Sequence, residues 1–143
     1  MAGKSHNKTL GTAWEYDFFA RALDRGLDVF IPAGDDLPVD CHVVNSAGTI
    51  YRVQCKGTSV NSRQKGKNHD SYKIIAGTGR SSKSPIDCTK VDVVACYIAP
   101  TKNWYFVPCL ELEGSISMWF YPSNEKSKSR YAPFKDNWEV FKS

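Results

Sequence analysis

The chain has 143 residues, of which 41% are hydrophobic and 24% charged, with a formal net charge of +4. That length supports one domain with a core of its own. No stretch approaches the roughly 18 apolar residues a membrane-spanning helix needs, and the opening ten residues are polar and basic with no apolar run behind them, so a cytoplasmic protein is expected.

Residues 1–10 read as a flexible basic arm. Gly11 and Thr12 then introduce a helix over 13–25, closed by Gly26 at the position where a left-handed cap is common. At 100° per residue, Phe18, Phe19, Ala22 and Leu23 form an inward stripe, with Asp17, Arg21 and Asp24 outward. Glu15 falls within the apolar stripe, where a carboxylate is costly without a partner. Two readings stand side by side at this point. Thr12 and Glu15 have the spacing of a capping box, in which Glu15 returns to the backbone of Thr12; alternatively, the carboxylate is there for function.

Residues 28–31 form a short strand ending at Pro32, and 33–36 turn the chain; Asp35 and Asp36 are ordinary turn residues. Residues 37–57 alternate apolar and polar side chains on both sides of the turn 45–48, the pattern of a hairpin. Counting by twos, Val39, Cys41, Val43, Tyr51, Val53 and Cys55 share one face. Asp40, His42, Arg52, Gln54 and Lys56 share the other. A carboxylate, an amide and an ammonium on one surface suit a metal and a phosphate.

From 58 to 90 the sequence is loop-rich, with a strand or basic hairpin at 72–75. Seven basic and two acidic residues give this segment a charge of +5, a field suited to nucleic acid. Arg63, Lys65, Lys67, Lys73, Arg80 and Lys83 are the expected DNA contacts, within a basic insertion over 57–90. Residues 77–84 approach a phosphate-binding loop but fail it, because Ser82 replaces the second glycine and Pro85 follows too soon for a helix.

Residues 91–99 are apolar enough for a strand covered on both faces, and 104–110 return beside it, with Pro108 marking an edge. Residues 111–121 fit a helix or a strand, 123–130 a basic linker, and 133–141 a short helix. Trp119, Phe120, Tyr121 and Tyr131 suit a core or a subunit contact more readily than base stacking. The five cysteines, Cys41, Cys55, Cys88, Cys96 and Cys109, lack CxxC spacing. Four lie in apolar strands, which points to packed thiols in a reducing compartment and excludes a zinc cluster.

A helix carrying Gly-x-x-x-Glu at Gly11 and Glu15, then Pro38-Val39-Asp40 entering a strand, then Gln54-Cys55-Lys56 ending the next, resembles the PD-(D/E)XK nuclease superfamily. The resemblance spans about residues 11–110. It departs from the common motif at Gln54, where an acid is usual; the Gln-x-Lys ending and the segment 104–108 are similar to the group I intron-associated homing endonucleases. The resemblance implies an α/β fold, with a restriction-endonuclease-like core of mixed sheet and N-terminal helix in a single domain. It implies a Mg²⁺-dependent endonuclease acting on double-stranded DNA, Mn²⁺ being a substitute, and a homo-oligomer, dimer or tetramer, to cut both strands. Asp40, Glu15 and the Cys55 backbone carbonyl would hold the metal, with Gln54 beside them and Lys56 serving the attacking water. A non-catalytic nucleic-acid-binding module on the same fold and a Holliday-junction-resolvase-like nuclease are the alternatives.

Overall fold

A computed structural model of the chain describes residues 3–34, 36–63, 65–79, 82–124 and 126–142, with side chains from Lys8 onward. Asp35 and Arg80 therefore lie outside the described residues.

Helix α1 spans Gly3–Asp24, ten residues longer at its start than Thr12 suggested, so the segment expected as a free arm is helical from Gly3. Thr12 sits inside the helix and its hydroxyl donates to the carbonyl of Lys8 at 3.1 Å. No N-terminus exists there for a capping box to close, and that reading of Glu15 falls. Phe18, Phe19 and Ala22 are buried as the wheel required, but Leu23 is 57% exposed. Asp17 is not simply outward: its carboxylate accepts the indole N–H of Trp104 at 2.8 Å while pairing with Arg21.

Five strands make the main sheet, in the order β1 (Asp28–Phe30), β2 (Cys41–Val44), β3 (Ile50–Thr58), β5 (Val93–Ile98) and β6 (Asn103–Pro108). Neighbours are antiparallel except β3 and β5, which run parallel with Gln54 opposite Val94 and Lys56 opposite Cys96. A parallel pair cannot be joined by a tight turn. The chain between them makes a long excursion over one face, and this is the basic segment. Within it β4 (Tyr72–Ile75) pairs antiparallel with β7 (Ser117–Phe120), forming a separate two-stranded ribbon. The hairpin turn is built by Asn45, whose side-chain oxygen accepts the N–H groups of Ala47 and Thr49, and by Gly48 at φ +85°. That left-handed φ favours glycine.

Each face of the sheet has its own core. On one side α1 and the C-terminal turn of helix Trp138–Phe141 cover Cys41, Val43, Val53, Val93, Ala95 and Phe106. Phe18 is the hub, with the rings of Trp104, Phe106, Trp138 and Phe141 at centroid distances from 5.5 to 6.2 Å. On the other side the ribbon lays Tyr72, Ile74, Met118 and Phe120 over Val94, Cys96, Ile98 and Val107. Strand β5, covered on both sides, is buried throughout.

Two sequence expectations are corrected. Val39 packs into the ribbon-side core rather than beside Cys41, because β2 begins only at Cys41 and the alternation breaks at Asp40. Cys109, expected as a packed thiol, is joined to Cys88 by a disulfide. Cys41, Cys55 and Cys96 remain thiols. Burial pushes the Cys41 and Cys96 thiols up to about 12, so neither supplies a thiolate.

Candidate active site

Strands β2 and β3 separate at Asp40, and this divergence makes the site. The backbone N–H of Asp40 still donates to Val53 O at 2.8 Å, but the next rung is made by the side chain: the Asp40 carboxylate accepts the N–H of Cys55 at 2.7 Å. One carboxylate oxygen is thus fixed against the sheet, which sets where the other can point. Gln54 is anchored through its amide nitrogen, which donates to Pro38 O at 3.1 Å. Its amide oxygen is buried and has no hydrogen-bond partner among the described residues. Such an atom forfeits its hydration unless something electropositive meets it.

Glu15 arrives from the helix layer. Gly11, Trp14 and Glu15 fall on one helix face at spacings of three and four. They line a cavity of about 230 Å³ together with Cys55, Lys56 and Gly57 of β3. A Cβ built on Gly11 meets nothing within 4 Å, whereas one built on Gly57 would stand 2.4 Å from Cε3 of Trp14. Glycine at 11 leaves the cavity open, and glycine at 57 lets the helix approach the strand that carries Lys56.

The charges feel one another. Burial raises the Glu15 carboxyl above its usual range, and the charge of Asp40 raises it further. Asp40 is also raised, by burial, against the opposing pull of the Cys55 N–H and Lys56. Burial lowers Lys56, with Cys96 and Asp40 opposing the shift and the ammonium of Lys83 adding to it. Two half-buried acids and an amine with weakened basicity thus act on one another across this end of β3.

Among the sequence-expected residues, Glu15, Asp40, Cys55 and Lys56 come together, while the Gln54 side chain, on the same strand, is tied to Pro38. His42 stands opposite Arg52, one rung along the ladder. Arg52 is committed to Asp92, donating from its backbone N–H at 2.8 Å and from Nε at 2.9 Å. Of the basic residues, Lys83 donates to Gly79 O at 2.7 Å, in a turn closed by a bridge between Thr78 and Ser84, and its charge is felt weakly at Lys56. Arg63 lies 4.0 Å from Asp70, and Lys65 and Lys67 are exposed. Sequence reasoning did not include Gly57 or Trp14. The bulky indole four residues before Phe18, facing a strand glycine, was the available signal.

The sequence profile described as PD-(D/E)XK endonuclease matches residues 5–140. The chain belongs to this family. As a PD-(D/E)XK endonuclease it is a nuclease, and the sheet, helix and divergent strand pair are the family's restriction-endonuclease-like core. The fold is similar to that of a bacterial homing endonuclease, I-Ssp6803I, with a TM-score of 0.75 at 20% identity, over 94% of this chain and 93% of that one. It is also similar to Hjc of Archaeoglobus fulgidus, a Holliday junction resolvase, with a TM-score of 0.54 at 16% identity, over 90% and 92% of the two chains. Comparison with curated protein sequences finds no match.

Among the described residues no cluster of three or more His, Cys, Asp or Glu side chains exists. The oxygens that the sequence pointed to as cation ligands are instead two carboxylates, an amide oxygen and a backbone carbonyl. All are hard oxygens, the set that suits Mg²⁺ or Mn²⁺ and not zinc.

Proposed function

We propose that this endonuclease hydrolyses phosphodiester bonds of duplex DNA with a divalent cation, Mg²⁺ or in its place Mn²⁺, in the manner of a homing endonuclease. The observation that carries the reading is the cavity shared by Glu15 and Lys56, with Asp40 near enough for its charge to act on both, and the buried, partnerless amide oxygen of Gln54 on the same strand as Lys56 supports it. Asp40, Glu15 and the Cys55 carbonyl would hold the cation, with the Gln54 oxygen completing the set. The cation supplies charge neutralisation at the phosphate and acidifies a bound water.

The remaining work belongs to the chain. Asp40, held by the Cys55 N–H through one carboxylate oxygen, would offer the other to the cation. Glu15 returns the negative charge that a glutamine at position 54 withholds. Lys56, its proton loosened by burial, takes the proton of the attacking water or holds that water in line, and its charged form stabilises the developing negative charge on phosphorus oxygens. The basic segment 57–90 positions the duplex. Each chain carries one such site, so cutting both strands calls for a dimer or tetramer.

Supercoiled plasmid incubated with the purified protein and Mg²⁺ tests this reading. Nicked and linear products that vanish in EDTA are expected. Binding with no nicking on any duplex, with either cation, would leave a nucleic-acid-binding module instead. Preferential cutting of four-way junctions would move the substrate to branched DNA.

A further inference from the structure

The aromatic residues near the C-terminal end of β7 divide into two classes. Phe120 and Tyr131 are buried in the ribbon-side core, whereas Trp119 and Tyr121 are only half-buried and stand on the other side of the ribbon. Alternation explains the split: Tyr72, Ile74, Met118 and Phe120 point inward, leaving Lys73, Ile75, Ser117 and Trp119 on the outer face. Nothing in the fold requires an indole there.

Beside it lies a cleft of about 450 Å³, lined by Lys67, His69, Ser71, Trp119 and Tyr121. All five of these side chains carry a hydrogen-bond donor, and none carries a negative charge. Lys67 and Lys73 enter no ion pair among the described residues. The Lys73 ammonium rests 5.8 Å from the Trp119 ring centroid, and His69 meets the Tyr121 ring edge-on at 5.7 Å, so both aromatic rings are braced rather than free to collapse. On the far flank of the same two rings a second cleft of about 230 Å³ takes in Ser129 and Arg130.

We infer that the outer face of the β4–β7 ribbon is a second DNA-contact surface, separate from the site of hydrolysis, whose cleft grips the phosphate backbone of duplex DNA. Lys67 and Lys73 neutralise phosphates, and the Trp119 N–H and Tyr121 O–H donate to phosphate oxygens while their rings cover the sugars. A two-stranded ribbon also has the width to enter a major groove of about 12 Å. The path of the chain supports the assignment. The segment from Lys67 passes from the cleft into β4, whose Lys73 lies over the Trp119 ring, so the cleft and the outer face of the ribbon are one continuous surface. The inference rests on the duplex-DNA reading above and adds where the duplex is held.

The test is equilibrium binding of the full chain to a duplex in EDTA, over a series of salt concentrations, for the parent and for Lys67→Ala, Trp119→Ala and Trp119→Phe. Lys67→Ala is expected to flatten the dependence of log affinity on log salt by about 0.9. Trp119→Ala is expected to weaken binding by about tenfold with little change in that slope, and Trp119→Phe, which keeps a ring but loses the N–H, by a smaller factor. Unchanged affinity and slope in all three variants, with a parent that binds and nicks DNA, would overturn this inference and leave the nuclease reading intact. A parent that neither binds nor nicks DNA would overturn both. Loss of self-association in Trp119→Ala with DNA affinity intact would reassign the face to contact between copies.

Discussion

Gly57 and Trp14 are packed so tightly that a methyl group on the glycine would overlap the indole, at 2.4 Å from Cε3 and 2.8 Å from Cζ3. The indole also packs against Tyr97 at a centroid distance of 5.9 Å. It therefore has little freedom to retreat. Gly57→Ala is expected to destabilise the protein by about 1–3 kcal/mol, the usual cost of overpacking. It also displaces Glu15 from Lys56 and reduces nicking. In the double variant with Trp14→Ala the alanine at 57 costs almost nothing, so the two changes are strongly non-additive in urea unfolding. Additive losses would locate the penalty elsewhere.

Lys56→Ala removes the group assigned to the attacking water. Cleavage of plasmid is expected to fall by about 10²–10⁴, the range for a general acid or base. Affinity for duplex measured in EDTA stays close to that of the parent. A variant that cuts at the parental rate would remove Lys56 from the mechanism.

The two half-buried acids set a pH dependence of stability in the cation-free protein. Glu15 and Asp40 both titrate above the usual carboxylate range when folded. Between the ordinary and the raised values the folded state binds more protons than the unfolded chain, so stability is greatest below that window and falls as pH rises through it. Asp40→Asn, which keeps an acceptor for the Cys55 N–H, is expected to unfold at higher urea than the parent at pH 7, with the difference shrinking at pH 4. On the proposed function, Mg²⁺ at roughly tenfold excess over its Kd is expected to add about 1.4 kcal/mol to the parent and nothing to Asp40→Asn, narrowing or reversing the difference.

The disulfide makes a separate prediction. Cys88 and Cys109 are 21 residues apart in sequence, and their bond ties the segment leading into β5 to the end of β6. Reduction is expected to cost about 3 kcal/mol, from the chain entropy regained on unfolding. Urea unfolding with and without reductant measures this, and Cys88→Ala is expected to be insensitive to reductant.

Much of the site was legible because it obeys short periods. Gln54 and Lys56 follow from alternation along β3, and Glu15 from a carboxylate out of place on an apolar helix face, whereas Asp40 was named by counting along a strand that in fact begins one residue later. What escaped the sequence was set by distant partners. Val39 changes side because the Asp40 carboxylate, and not its backbone, meets Cys55. The first ten residues are too polar to display a helical stripe, yet α1 begins at Gly3. Residues 117–120 fit more than one element until their partner β4 is known, and that partner lies beyond the whole β5–β6 hairpin. The bond between Cys88 and Cys109 has no local spacing that announces it.

The ribbon's construction has a kinetic side. Its two strands come from chain segments that only meet once β5 and β6 are in place, so closing them requires a long loop to be ordered for four residue pairs in return. Such an element assembles late and opens early. Amide exchange in the pairs Tyr72–Phe120 to Ile75–Ser117 will therefore outpace that in β3 and β5, leaving the hydrolytic centre intact while the grip loosens. On the reading proposed above, a duplex held by the ribbon would be released by local fraying, without unmaking the place where its bond was cut.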